Sequence, residues 1–377
     1  MDPPQTDPPQ WGDGMTDFRR RNLVVLGGFA LLSVVLAAAT LWLQAQETAA
    51  RFTPGEFLPG FAAQVKNATR IHIVSRDNAF DVTYSPAKGW VLPSRGNYPA
   101  NFEQVRHTLI DLATMETVEP KTARADWHSY IGLETPPKGN GTAITISDKN
   151  DHVLAAILVG NTADLTNAQG ATGVFVRHPG DNQSYLARAV YPFHPNLPDW
   201  LSTGVMMVES ARLNTITVTP VSGAGFTVKR DHPSDQEYKL DGPAPPKGMQ
   251  ANAAMVNMVP QLITDFTFVD VQPASQVDFS KPVRLAAHTF DGQNIHIDAV
   301  TVKDATWIRV SAEADKGTPT MQRQEADMIN ARAAQWAYKL PPDKGRLLAM
   351  TRDKLITKAE APEGQPGLPP GLLGQPN

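Results

Sequence analysis

The hydrophobic positions open with one unbroken run. Leu23 to Leu43 reads LVVLGGFALLSVVLAAATLWL and carries no charge. At about 1.5 Å per residue its 21 residues reach roughly 31 Å, the hydrocarbon thickness of a bilayer. The run predicts a single transmembrane helix. Leu23, Phe29, Leu32, Val35, Leu41 and Leu43 supply its lipid-facing bulk, and Trp42 sits where an amphipathic ring suits the interface. A cleaved secretory signal has a shorter apolar region and a small-x-small exit. Gln44-Ala45-Gln46-Glu47 is a poor exit of that kind.

From Phe52 the pattern changes to short alternating segments. Arg70-Ile71-His72-Ile73-Val74 and Phe80-Asp81-Val82-Thr83-Tyr84 place apolar residues at every second position. Gly89-Trp90-Val91-Leu92 follows the turn at Ser85-Pro86-Ala87-Lys88. Period-two spacing bounded by Pro, Gly, Asn and Asp predicts half-buried strands. Between Asn101 and Met115 the spacing widens to three and four. Phe102, Val105, Leu109, Leu112 and Met115 form one face of an amphipathic helix, with Asn101 as N-cap and Gln104 completing a capping-box pattern. Val118 to Pro120 leaves the helix extended. Thr142–Ser147 with Val153–Val159, and Gly173–His178 with Gln183–Arg188, read as hairpins.

The same order then returns. Asn214–Thr219, Phe226-Thr227-Val228 and Tyr238-Lys239-Leu240 repeat the first strands, and Asn252 opens a helix carrying Met255, Val259, Leu262, Ile263 and Phe266. Phe268-Val269-Asp270-Val271 is its exit strand, and Val283–Phe290, Asn294–Val300 and Trp307–Val310 repeat the hairpins. The offset is about 145 residues at the first strand and about 151 across the helix. The fold class predicted is α+β: one N-terminal transmembrane helix, then a duplicated, mostly antiparallel β-rich unit with one amphipathic helix per repeat. The divisions are a disordered tail at 1–22, the span at 23–43, a linker at 44–57, repeats at 58–205 and 206–345, and a C-terminal helix and Pro/Gly-rich tail at 346–377. The ending departs from the repeat: Pro319–Trp336 reads as an extra helix, Ala337–Leu340 as a short strand and Asp343–Thr357 as a last helix.

Charge orients the anchor. Arg19, Arg20 and Arg21 pack against one end of the run, while Arg51 is the sole basic residue on the other flank before residue 60. The positive-inside bias puts the N-terminus in the cytoplasm and the main body outside. In a bacterium that means an inner-membrane, single-pass protein with a periplasmic body. A net charge of -4 over 377 residues offers no basic field for a nucleic acid. The absence of cysteine excludes thiol catalysis, cysteine-ligated zinc and disulfide stapling.

Local motifs for chemistry resolve into ordinary structure. Ser85-Pro86-Ala87-Lys88 has the S-x-x-K spacing of acyl-enzyme serines, but that chemistry needs a helix and Pro86 marks a β-turn. The histidines form no H-x-x-x-H pair; His72 and His296 sit at outward strand positions and His128 in a loop. Asp148, Asn150 and Asp151 lack the glycine and distal glutamate of a calcium loop. No phosphate-binding glycine motif occurs. No catalytic, cofactor-binding or metal-binding residue is therefore assigned, and the expectation is a protein without a cofactor that is not an enzyme. Trp90, Trp127, Trp200 and Trp307 lie in or beside predicted elements, so core packing is expected of them ahead of ligand stacking.

Several of these segments together resemble the family catalogued as domain of unknown function 4340. The resemblance rests on Gly89-Trp90-Val91-Leu92-Pro93, Tyr98-Pro99-Ala100-Asn101, Leu112 to Arg124, Tyr130-Ile131-Gly132-Leu133, Gly173-Val174-Phe175-Val176, Ser184-Tyr185-Leu186-Ala187, Asp199-Trp200-Leu201 and Trp336 to Pro341. It covers roughly residues 55 to 345. It implies an inner-membrane anchor, a periplasmic β-rich repeat region and genes beside ABC-type transporter components; it supplies no catalytic residues. The expectation is an accessory or scaffold subunit whose partners are inner-membrane proteins, ABC transporter subunits among them. The alternatives are a periplasmic glycan- or lipid-binding module and a hydrolase assembled from distant residues.

Overall fold

The computed structural model describes residues 28, 30–42, 52–165, 172–191 and 193–359 of the chain. Residues 30–42 are helical (α1), and Leu32, Val35, Leu41 and Trp42 of the predicted span lie there exposed. Leu23, Phe29 and Leu43, the topology-signal residues Arg19, Arg20 and Arg21, and both terminal tails lie outside the described residues. No helix among the described residues is long and apolar enough to cross a membrane.

Beyond the short helix Phe61–Gln64 (α2), strands dominate. Arg70–Val74 (β1), Ala79–Ser85 (β2), Gly89–Leu92 (β3) and Tyr98–Pro99 (β4) precede helix Phe102–Thr114 (α3). Glu116–Pro120 (β5), Thr142–Ser147 (β6), Val153–Ala163 (β7), Thr172–Arg177 (β8) and Ser184–Ala189 (β9) follow. They build one antiparallel sheet in the order β4-β3-β2-β1-β6-β7-β8-β9-β5. Alternation fixes its register: Ile71 pairs with Val82 and Ile146, and Ile73 with Phe80 and Ile144. All six are buried on the same face. Val105, Leu112 and Met115 of the α3 segment join that core, whereas Phe102 at the first turn is 60% exposed.

The second half starts with Leu213–Thr219 (β10), Phe226–Lys229 (β11), Lys239–Leu240 (β12) and Met249–Ala251 (β13). Then come the helices Ala253–Met258 (α4) and Gln261–Thr264 (α5), and the strands Asp270–Pro273 (β14), Val283–Thr289 (β15), Gln293–Val302 (β16) and Ala305–Ala314 (β17). Helix Thr320–Ala333 (α6) and strand Trp336–Lys339 (β18) complete a second antiparallel sheet, ordered β12-β11-β10-β15-β16-β17-β18-β14. Apart from β4, each strand of the first sheet has a counterpart at the same place in the second. The register corresponds as well: Ile216 faces Val228 and Val218 faces Phe226, as Ile71 faces Val82 and Ile73 faces Phe80.

Three expectations change in detail. The second amphipathic helix, read over Asn252 to Phe266, is two short helices. Pro260 has no N–H to continue the ladder, and its carbonyl instead receives Ile263 N–H and Thr264 N–H at 2.9 and 3.0 Å as α5 starts. Both N-caps hold, with Asn101 Oδ1 accepting Gln104 N–H at 3.3 Å and Asn252 Oδ1 accepting Met255 N–H at 3.2 Å. The Gln104 side chain does not return to the cap, because it donates to Thr108 Oγ1 at 3.3 Å. At the C-terminal side, the helix read over Asp343–Thr357 runs only over Pro342–Leu348 (α7). Ile356–Lys358 (β19) then pairs antiparallel with β13, which gives the backbone of Met249–Ala251 its partners in a separate two-stranded sheet.

Candidate functional site

The two sheets are joined by side chains around β4. Leu92 leads into a one-turn 3₁₀ segment, Pro93–Arg95, and then Gly96 and Asn97 both take positive φ, 69° and 64°. That reversal aims Arg95 at the second sheet. Arg95 Nε and Nη2 donate to Asp270 Oδ1 and Oδ2 at 2.6 and 3.3 Å, a paired geometry that fixes orientation as well as distance. Gly96 is the close approach: a Cβ there would lie 2.7 Å from Pro273 Cγ.

Tyr98 fills the centre of the junction. Its ring meets Trp336 edge-on at 5.0 Å between centroids, and Tyr338 and Phe268 at 6.2 Å each. Its hydroxyl donates to Ser202 O at 2.7 Å, so the buried polar end is satisfied. Burial pushes the phenols of Tyr98 and Tyr338 above their ordinary value, and both stay neutral. The segment between the lobes is tied down by Arg332, whose Nη1 donates to Gly204 O at 2.9 Å.

Beside this junction opens a cleft of about 670 Å³. Lys88 and Asn97 come from the first sheet, Ser202 from the connecting segment, and Arg332, Gln335 and Trp336 from the α6–β18 corner. Two cations, four amide or hydroxyl side chains (Asn97, Tyr98, Ser202 and Gln335) and an indole border it, and no carboxylate is among the described residues that line it. Such a lining suits an anionic or polyhydroxylated group lying on an aromatic face, whether carried by a small molecule or by a protein segment. A smaller cavity of about 440 Å³ opens in the second lobe near Val302 and Leu348, and one of about 280 Å³ in the first near Val174 and Phe193.

A charged cluster in the second lobe is self-contained. Arg212 lies between Asp291, at 2.8 Å from Nε, and Glu325, at 2.9 Å from Nη2, and thereby holds α6 on the second sheet. Burial raises the Asp291 carboxyl, but hydrogen bonds from Thr289, Arg212 and Gln322 outweigh it and leave the group below the usual carboxylate range.

Residues singled out in the sequence are scattered among structural roles. Lys88 N–H closes the Ser85 turn at 3.2 Å, and Asp148 Oδ1 accepts the Asn150 and His152 N–H groups at 2.8 and 3.0 Å. His128 is buried, with Nε2 2.9 Å from Asn182 O. His72 pairs with Asp81 at 2.8 Å. Trp200 is buried and donates to His194 O, Trp90 and Trp307 are half-buried, and Trp127 stands 49% exposed. Tyr98 opens one of the segments that carry the family resemblance and Asp270 lies in the predicted exit strand, but neither these nor Arg95 carries a motif for contact between the sheets. A local signal for the turn that presents Arg95 is Gly96-Asn97, both at positive φ just before β4.

A family model described as "Domain of unknown function (DUF4340)" matches residues 90–287, which run from β3 in the first sheet to β15 in the second and include the whole junction pair. No curated protein and no solved structure matches the chain.

Proposed function

The chain belongs to the family described as Domain of unknown function (DUF4340), and from that premise we propose that it is a non-enzymatic subunit anchored in the bacterial inner membrane. In this reading Leu23 to Leu43 is a single span, Arg19, Arg20 and Arg21 hold the N-terminus in the cytoplasm, and the two-lobed body stands in the periplasm as a scaffold for a membrane complex of the ABC-transporter class. The body is a duplicated unit whose halves have been welded into one frame.

The observation that carries the scaffold reading is the junction. Arg95–Asp270 and the Tyr98 ring cluster hold two sheets of matching strand order so that the cleft borders both lobes. A frame of this kind presents a fixed surface to a partner. The anchor reading is supported by α1, which exposes Leu31, Leu32, Val34, Val35, Leu36 and Leu41 on all sides, a surface suited to lipid and costly in water. The test is affinity purification of the full chain from detergent-solubilised membranes. Stoichiometric recovery of an ABC ATPase and its permease is expected; a chain that emerges from the soluble fraction, or alone from the membrane, overturns the reading.

A second reading is favoured by the cleft lining. Lys88, Arg332 and Trp336 match an acidic glycan or lipid headgroup. Retention of such a ligand by the purified monomer would support it at the expense of the first.

A further inference from the structure

The first lobe carries an exposed aromatic pair close to where the chain arrives from α1. Ala125–Ile131 is a 3₁₀ segment, in which residues three apart eclipse one another. Trp127 and Tyr130 have that spacing and are 49% and 80% exposed. Arg124 stacks over the Trp127 ring at 4.8 Å and pairs with Asp126 at 2.6 Å. Below them the segment is firmly seated: His128 is buried against Asn182 O, and Asn161 Nδ2 donates to Tyr130 O at 3.4 Å. The rings are thus held out on a rigid base.

Their position relative to the tether gives them a role. Phe52, the first described residue after α1, packs 6.2 Å from Tyr185 on β9. The neighbouring residue Ser184 exchanges hydrogen bonds with Thr122, including Oγ to Thr122 O at 2.8 Å and Thr122 N–H to Oγ at 3.1 Å. Thr122 is five residues from Trp127, a reach of about 17 Å at most. Phe57 stacks on His178 at 4.3 Å at the same end of the sheet. From residue 42 to Phe52 there are ten backbone steps, a ceiling of about 35 Å. The tether therefore holds Phe52 within about 35 Å of the end of α1, and the Trp127–Tyr130 face belongs to the lobe that receives it.

The geometry points to a second membrane contact: Trp127 and Tyr130 enter the headgroup region of the bilayer that holds α1 and set the tilt of the body above it. This rests on the anchor reading of the preceding section. The occupant is a lipid surface, because indole and phenol rings with one apolar and one polar side partition to that boundary. Arg124 and Lys121 are already paired, with Asp126 and Glu119, so the contact does not need anionic lipid.

The chain has no cysteine, so a single introduced thiol can report on this face. The full chain is reconstituted in phosphatidylcholine nanodiscs with a nitroxide at exposed Ala125→Cys, and in a parallel sample at Val302→Cys in the second lobe. Collision rates with oxygen and with a water-soluble nickel chelate are compared. At Ala125→Cys the oxygen-to-nickel ratio is expected to exceed that at Val302→Cys several-fold, and to drop to the control value when Trp127→Ser and Tyr130→Ser are added. Circular dichroism of the triple variant checks that the fold is kept. Equal ratios at the two sites, or a high ratio that survives loss of both rings, overturns the inference. So does immobilisation of the label by soluble peptidoglycan fragments in place of lipid. Failure of the chain to co-elute with the nanodisc overturns the anchor itself, which separates the two failures.

Discussion

Arg95 and Asp270, separated by 175 residues, meet through two hydrogen bonds of 2.6 and 3.3 Å and tie the first sheet to the second. Each side chain retains about a quarter of its exposure, at 28% and 27%. Solvent therefore screens part of the attraction, and the pair's main effect is on geometry. Arg95→Ala should cost about 1–2 kcal/mol in urea unfolding, and Arg95→Ala with Asp270→Ala less than the sum of the single losses. Additive losses would show that the two residues act separately.

Gly96→Ala strains the same junction by a different route. The residue has φ of 69°, and an added methyl would sit 2.7 Å from Pro273 Cγ and 3.2 Å from Pro273 Cδ. A loss of about 1–3 kcal/mol is expected. Because Pro273 cannot swing away as a flexible side chain would, cleavage by a protease in the 202–207 connection should rise alongside. Unchanged melting and unchanged cleavage would mean that the lobes shift freely.

Asp291 gives the body a pH signature. Its folded pKa lies below the unfolded value because Thr289, Arg212 and Gln322 outweigh burial. In the window between the two values the unfolded state binds more protons, so stability rises with pH there. The contribution is complete above the unfolded value of about 3.9 and disappears as pH falls through the lower folded value. Asp291→Asn should flatten the acid limb of a stability–pH curve while lowering stability at neutral pH. An unchanged acid limb would show that the Arg212 cluster does not set it.

The proposed span is tested by charge. Leu32→Lys with Val35→Lys adds about 5–7 kcal/mol of insertion cost at the helix centre. Carbonate extraction should then release the chain, whereas the wild type stays in the pellet. Equal extraction of both forms contradicts a span.

The sequence disclosed local structure well and long-range structure poorly, for reasons visible in particular residues. Ile71, Ile73, Val82 and Phe80 alternate because one face of their sheet is buried, and the two Asn caps satisfy N–H groups that any helix start leaves open. The matching orders of the two sheets follow from repeated hairpins, which are local. The break at Pro260 was written in the chain as well, yet Met255 and Phe266 kept the apolar spacing on both sides of it. The cleft was not legible, since Lys88, Ser202 and Arg332 converge only after both lobes dock. Trp127, which the sequence predicts in a core, stands outside it with Arg124 over its ring and paired with Asp126.

If the body is the scaffold proposed above, the cleft at the lobe junction is where a protein segment of a membrane partner seats. The most direct measurement places a photo-crosslinking amino acid at Gln335, which borders the cleft, and at Val302 as a control, in the full chain in intact cells. A cross-link from position 335 to an integral membrane subunit of an ABC transporter, absent at position 302, is the predicted result. No protein adduct at 335, or the same adduct at both positions, would contradict it.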